Sequence, residues 1–383
     1  MLPIKSVKIS TERLSRLHFI DNWSTALIIL VVLHHVACTY GPGCWYYREP
    51  PVKDPYAQLV LTMFVLINQS WFMGALFLIS GYFVPGSLAR KGPGVFLKDR
   101  TLRLGIPLVV STFVLIPIAH FIGIDQMPAS ISGISSSITW QNYPELIGIG
   151  PLWFVVILLI FNFGYVAWHA ATRNRTSQRE TNSAPPGYCA MGILVLVLAL
   201  ATYLVRVVVP IGKIVLDIPT FGYLPQYFTF FVLGIIASRS NWFRNIPNKA
   251  GRVAFILTLA VTVLLFPIAT AYGTSRNFLG NGHWHSAVYA LWESTFAVGM
   301  CLSLITLFRN FLDRPGKLFS FMSQLRYTVY IIHTPVLVFL AVSLKEIELE
   351  NLLKFSLTAA IGVPLCFSVA YIVRKTPFAS RIL

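Results

Sequence analysis

Asn22-Trp-Ser-Thr-Ala-Leu-Ile-Ile-Leu-Val-Val-Leu-His-His-Val-Ala-Cys-Thr-Tyr40 runs for 19 residues without a Lys, Arg, Asp or Glu. At about 1.5 Å per residue it reaches roughly 28 Å as a helix, close to the 30 Å or so of a bilayer's hydrocarbon core. Backbone N–H and C=O groups in lipid must find partners within the segment, so a run of this kind is read as a transmembrane helix.

Nine further apolar blocks follow, at 57–84, 104–124, 148–171, 189–209, 220–238, 252–272, 287–308, 327–345 and 352–373. The second is overlong, and its first part, around Tyr56 to Thr62, is expected to tilt or to lie at the interface. The fourth and sixth carry Pro or Gly near their starts, which a packed bundle tolerates. Across 383 residues, 56% are hydrophobic and 11% charged, too little charge to clothe a soluble domain of this size. The expected fold is all-α, a polytopic membrane bundle of about ten transmembrane helices. It is read as a single integral-membrane domain over 1–383, with 1–20 as a basic arm, no appended soluble domain and no internal repeat of 20–50 residues. No cleavable signal peptide is expected, because the first apolar stretch is too long and no small-residue cleavage site follows it.

A net charge of +16 would suit nucleic acid, but the positions of the basic residues give a different reason for it. Of 30 Lys and Arg residues, 23 fall on the N-terminal arm, the even-numbered loops and the C-terminal tail; the other 7 are Arg48, Lys53, Arg206, Lys213, Arg276, Lys345 and Lys354. That alternation is the positive-inside pattern and places both termini in the cytoplasm, with the bilayer and not nucleic acid as the partner. The longest linker, Arg173 to Gly187, reads as a cytoplasmic loop. The sequons at Asn22, Asn68 and Asn174 fall within the membrane or on the cytoplasmic side and carry no message about glycosylation. Of the five cysteines, Cys189, Cys301 and Cys366 lie in spans as small apolar residues; Cys38 and Cys44 alone could meet outside, and a disulfide between them is not expected.

Chemistry in such a chain is sought among polar groups at membrane depth, where a charge costs at least about 2.5 kcal/mol. His34 and His35 stand in the first span, Glu293 in the eighth and His333 in the ninth. His35 lies about 20 Å along the helix from Asn22, and an imidazole in hydrocarbon is expected neutral, the form that accepts a proton. Adjacent helical residues point about 100° apart, so only one of the two neighbouring histidines can face a small site, and either alone could equally be a packing group. Glu293 could face an acceptor hydroxyl or pair with Arg206. Arg100 and Arg103, three apart at the start of the third span, share a face that could clamp a phosphate or simply anchor the helix in the cytoplasm. His283 and His285 flank Trp284 in a loop without acidic or thiol companions, so no metal site is expected.

Five stretches taken in order carry a resemblance: Asp21-Asn-Trp-Ser-Thr through His34-His35, Ser80-Gly81-Tyr82, Arg100-Thr-Leu-Arg103, Gly150-Pro-Leu-Trp153-Phe154 and Tyr327-Thr-Val-Tyr330-Ile-Ile-His333-Thr-Pro335. Together they resemble the successive motifs of the acyltransferase 3 family of membrane acyltransferases, and are most similar to its glucan succinyltransferase branch, the glucans biosynthesis protein C type. The resemblance implies transfer of an acetyl, succinyl or similar group from a cytoplasmic acyl-coenzyme A, a donor substrate and not a resident cofactor, to a hydroxyl of a glycan, a lipid-linked saccharide or another exported acceptor. It implies an O-acyltransferase of the cell (plasma or inner) membrane. On that pattern His35 matches the essential first-helix histidine, Arg100 and Arg103 the donor-binding pair, and Asp21, Ser80, Tyr82, Trp153, Tyr330 and His333 are further cavity candidates; Glu293, from its charge at membrane depth and not from the motifs, is a second catalytic candidate. Ser24 stands where the family usually carries an Arg, so either Arg13 or Arg16 substitutes from upstream, or donor binding is altered, or this copy is weakened as an enzyme. The competing expectation is a transporter or flippase of an acylated sugar or other small solute, which the intramembrane charges suit and the absence of an inverted repeat or paired broken helices opposes.

Overall fold

The computed structural model describes residues 17–47, 54–123, 143–172, 184–271, 277–314 and 316–383. Arg13, Arg16, the Asn174 sequon and residues 173–183 of the long linker lie outside them. The described chain is helical, with a single isolated β-bridge between Val215 and Ile218. Ten helices are long and apolar enough to cross a membrane: α1 His18–Tyr40, α2 Pro55–Lys91, α3 Pro93–Gly123, α4 Gly150–Thr172, α5 Tyr188–Val208, α6 Phe221–Arg239, α7 Asn248–Thr270, α8 Trp284–Phe311, α9 Lys317–Ser343 and α10 Asn351–Lys375. The chain is a multi-pass integral membrane protein.

Three of these differ instructively from the hydropathy reading. The overlong second block is a broken helix, interrupted at Ser70 and Trp71. The carbonyl freed at Ser70 accepts from Gln226 Nε2 of α6 at 2.6 Å, which meets the demand that backbone groups in lipid be paired. Helix α9 begins at Lys317, ten residues before the expected edge, because a helix continues beyond the hydrocarbon where polar residues no longer count towards hydropathy. Likewise His285 belongs to the first turn of α8 and not to a loop. In α4 and α6 the early Pro and Gly are absorbed by one-turn 3₁₀ starts at Gly150–Leu152 and Phe221–Tyr223. Helix α3 contains two π-helical turns, Thr101–Gly105 and Ser111–Leu115, each set just before a proline, Pro107 or Pro117. The wider turn relieves the clash of the pyrrolidine ring with the carbonyl four residues earlier.

Helix α1 is the central element and packs against α2, α8, α9 and α10, whereas α5, α7 and α10 show most of their surface outward. Both ends of α1 are pinned. At the first turn the Phe19 N–H donates to Asp313 at 3.1 Å and the Asn22 amide donates to the Leu312 carbonyl at 2.6 Å. At the last turn Asn351 Nδ2 donates to the Tyr40 carbonyl at 3.1 Å, and the Tyr40 and Thr358 hydroxyls share a 2.8 Å bond. The register of everything between, including both histidines, follows from these contacts. Elsewhere, closeness depends on glycine: a Cβ at Gly81 would strike the Phe231 carbonyl and one at Gly234 the Leu78 carbonyl, so α2 and α6 meet backbone to backbone.

Candidate active site

The basic end of the bundle carries Arg100, Arg103, Arg244, Arg309, Arg326 and Arg374; the opposite end carries Tyr40 and the loop Gly41–Tyr47. Near that opposite end, α1 and α9 present one histidine each to the other. The rings of His35 and His333 lie 4.8 Å apart, centroid to centroid. His35 Nδ1 is 2.8 Å from the Val31 carbonyl of its own helix, and His333 Nδ1 is 2.7 Å from the Tyr330 carbonyl. A carbonyl only accepts, so both Nδ1 atoms carry hydrogen and each neutral ring is left with Nε2 as an acceptor. His333 is fully buried, and its Nε2 has no partner among the described residues; His35 keeps some accessible surface. The pair is thus a partly buried imidazole backed by a fully buried one. Both rings are held by their own helices, which sets the tautomer without any acidic companion.

Trp45 closes the other side. Its ring is 4.5 Å from His35 and stacks at 6.1 Å on His333, while its Nε1–H donates to Thr39 Oγ1 at 2.9 Å. Cys38 and Cys44 form a disulfide, contrary to expectation. The physical reason is the turn between them: the Gly41 and Gly43 N–H groups bond back to the Ala37 and Cys38 carbonyls, Gly43 adopts φ of 66°, and the chain reverses to bring the two Cα atoms to 5.3 Å. The turn also carries Trp45 over the histidines. Tyr46 follows at 4.7 Å from His120 of α3; burial pushes its phenol well above the usual range, and the Asp217 carboxylate pushes it further.

The remaining sequence candidates separate into those that join this pair and those that do not. Tyr330 joins it: its ring is 5.9 Å from His333 and its hydroxyl donates to the Pro151 carbonyl in the Gly-Pro-Leu-Trp stretch. Trp153, two residues on, stacks on Tyr227 at 5.3 Å and forms the wall behind Pro151. His34 points away, with Asn68 Nδ2 3.2 Å from its Nδ1 and Phe72 stacked at 5.1 Å, as the 100° step requires. Asp21 sits at the basic end, paired with Arg326 of α9 at 2.9 Å. Ser24 is buried beside it and turns its hydroxyl onto the Asp21 carbonyl at 3.0 Å. Tyr82 stacks on Phe243 at 4.5 Å on the basic side of α2, and Ser80, half-buried and two residues nearer the middle, takes no part in the histidine pair.

Arg100 lies over the Phe96 ring at 5.2 Å, half-buried, and Arg103 is exposed; the Arg103 carbonyl accepts the Tyr327 hydroxyl at 2.9 Å, tying this stretch to α9. Glu293 is engaged by Arg206 at 2.6 Å, both side chains inaccessible, with the guanidinium 4.6 Å from the Tyr223 ring and 5.7 Å from that of Tyr289. The structure therefore supplies the pairing that the sequence left open. Trp45, Thr39 and Arg326 were not singled out in the sequence; the nearest signal was Cys44 next to Trp45, in a loop too short to stray from the end of α1.

Ten spans define a membrane protein in which α1 and α9 bring two histidines together, and residues 17–374 match the model of the acyltransferase domain of the acyltransferase 3 family. The chain belongs to that family of membrane acyltransferases. It is also similar to the glucans biosynthesis protein C of Escherichia coli O157:H7 and of Escherichia coli strain K12, 23% identical in each case over 229 residues. That alignment covers 58% of this chain and spans 58% of the length of those relatives. No solved structure matches.

Proposed function

We propose that this chain is an O-acyltransferase that moves an acetyl, succinyl or similar acyl group from a coenzyme A thioester, bound at the basic end, to a hydroxyl of a glycan or other exported or membrane acceptor. On this reading the basic end and both termini are cytoplasmic, in line with the 23 to 7 partition of basic residues. Arg100 and Arg103 offer guanidinium groups suited to donor phosphates. Arg326, brought to the first turn of α1 beside Ser24, supplies the cation that the family carries in α1 itself.

The observation that carries the reading is the pair of Nε2 acceptors, one of them buried without a partner among the described residues. Leaving such an atom unpaired costs roughly 1–3 kcal/mol, which a substrate hydroxyl would recover on binding. In the reaction His35 Nε2 takes the hydroxyl proton as the oxygen attacks the thioester carbonyl; the C–S bond breaks, and the departing thiolate receives the proton. His333 positions His35, and its own Nε2 accepts from a second, neighbouring hydroxyl of the acceptor. General-base help of this kind is worth about 10²–10⁴ in rate. Glu293 is assigned to its ion pair with Arg206 and takes no step.

Purified protein offered acetyl- and succinyl-coenzyme A with labelled acyl groups should release coenzyme A and label an acceptor from cell-envelope extract. His35→Ala should lower turnover at least about a hundredfold with insertion and yield unchanged, and His34→Ala far less. A protein that binds the thioester but never cleaves it would refute the enzyme reading and favour a solute carrier.

A further inference from the structure

The loop Gly41–Tyr47 contains the one feature of the site that neither histidine nor any donor-binding residue explains. Trp45 is almost inaccessible although it stands in a connection between two spans, Tyr47 beside it is fully buried, and Cys44 is exposed. A tryptophan in such a loop would ordinarily rest at the interface with its N–H in the polar layer. Here three constraints turn it inward. The Cys38–Cys44 disulfide ties the loop to the last turns of α1, Thr39 accepts the indole N–H, and the ring is packed on His35 and His333. Thr39 itself bonds the His35 carbonyl at 3.1 Å, so the fastening begins on the residue it protects.

We propose that Trp45 is a specificity-determining residue, a wall that keeps bulk water from the histidine pair, and that the Cys38–Cys44 disulfide holds it there. This inference rests on the acyl-transfer reading. The chemistry gives the wall its purpose. A base that deprotonates a sugar hydroxyl deprotonates water equally well: water oxygen attacks the thioester carbonyl, Nε2 takes the proton, the C–S bond breaks and the thiolate picks the proton up. The products are a free carboxylic acid and coenzyme A, and the donor is wasted. Excluding water from the site prevents this side reaction. An indole has no group that could serve as the nucleophile, and with its N–H already bonded to Thr39 it offers no donor to carry a water molecule towards His35. Cys44 is exposed at the end of the bundle that this reading places outside the cell, where disulfides persist, so the wall would be fastened only after the loop has crossed.

Two measurements on the full-length protein in lipid nanodiscs test this. The first is hydrolysis of labelled acetyl-coenzyme A without acceptor, compared with transfer when acceptor extract is added. Trp45→Ala and the double variant Cys38→Ser/Cys44→Ser should each raise the ratio of hydrolysis to transfer at least tenfold, and Trp45→Phe, which restores an aromatic wall, should return it most of the way. Reduction of the wild type by a phosphine should move the ratio in the same direction. A ratio unchanged in Trp45→Ala overturns the proposal. The second is carbethoxylation by diethyl pyrocarbonate, which attacks unprotonated imidazole nitrogen, located by peptide mass spectrometry. His35 should be protected in the oxidised wild type and modified at least several-fold faster in Trp45→Ala and after reduction; equal modification in all forms overturns the proposal. This readout does not depend on turnover, so if no form cleaves the thioester the acyl-transfer reading fails while the wall remains separately tested.

Discussion

Exchange of Glu293 separates its two candidate roles. The Arg206–Glu293 pair is inaccessible to solvent, and its charge centres are about 4 Å apart given a nitrogen–oxygen distance of 2.6 Å. At an effective dielectric of about 20 the attraction is about 4 kcal/mol, against which both desolvation costs must be set. Removing one partner leaves the other charge stranded, a loss of roughly 3–5 kcal/mol, whereas replacing both by apolar residues of similar volume is close to neutral. With about 2.1 cal/mol/K of unfolding entropy per residue, 3–5 kcal/mol corresponds to a drop in Tm of about 4–6 °C for a chain of this length. Glu293→Ala and Arg206→Ala should both show that drop in a thermal melt of the solubilised protein. The double variant Arg206→Met/Glu293→Met should recover most of it, together with thioester turnover. The reasoning is refuted if Glu293→Gln leaves Tm unchanged and abolishes turnover, or if the double variant melts like the wild type and is inactive. Either result would make Glu293 a catalytic residue, and Arg206 the group that holds it in place.

Arg103→Ala should weaken binding of desulfo or acyl-coenzyme A by about 1.5–3 kcal/mol, roughly ten- to a hundredfold, with little change in acceptor KM; calorimetric binding equal to wild type would return the arginine to anchoring. Gly234→Val should push α6 off the Leu78 carbonyl of α2, an overpacking loss of at least about 1–3 kcal/mol seen as a lower Tm and a lower monodisperse yield; a wild-type melt would mean the two helices are free to separate. In a Cys189→Ser background, a cysteine at Lys249 should be shielded from an impermeant maleimide in intact cells and one at Lys213 labelled, since these exposed positions lie at opposite ends of the bundle; the reverse pattern would invert the topology.

The ten spans were legible because each is a near-continuous apolar run, and nothing else in the chain competes with that signal. Their ends were less so: the polar first turns of α9, Lys317 to Arg326, are helical through contacts that hydropathy does not register. The choice of His35 over His34 follows from local geometry alone, the angular step of a helix. Its partnership with His333 does not, because the two are 298 positions apart and only the packing of α1 on α9 makes them neighbours. Arg326 shows the converse. In the sequence it is one more basic residue of the positive-inside pattern, yet it enters the first turn of α1 to meet Asp21, beside Ser24. The disulfide was unreadable for a different reason: whether two cysteines six residues apart bond depends on the turn, and a glycine pair between them does not by itself specify one.

Helix α9 links the two halves of the proposed reaction. Tyr327, Tyr330 and His333 follow one another at intervals of three, so they descend one side of the helix and together rise about 9 Å. The first bonds the Arg103 carbonyl, the second the Pro151 carbonyl, and the third meets His35. One rigid element thus fixes the α3 stretch that carries the arginines, the strap at the head of α4 and the histidine pair in a single register. On the proposed reading, a donor whose phosphates are held by Arg100 and Arg103 must present its acyl carbon on an arm longer than that 9 Å rise. A short acyl phosphate, gripped at the same arginines, would leave its carbonyl well below His35 Nε2, whereas a thioester on an extended linker reaches it. On that reading the spacing along α9 selects for donor length as well as for chemistry.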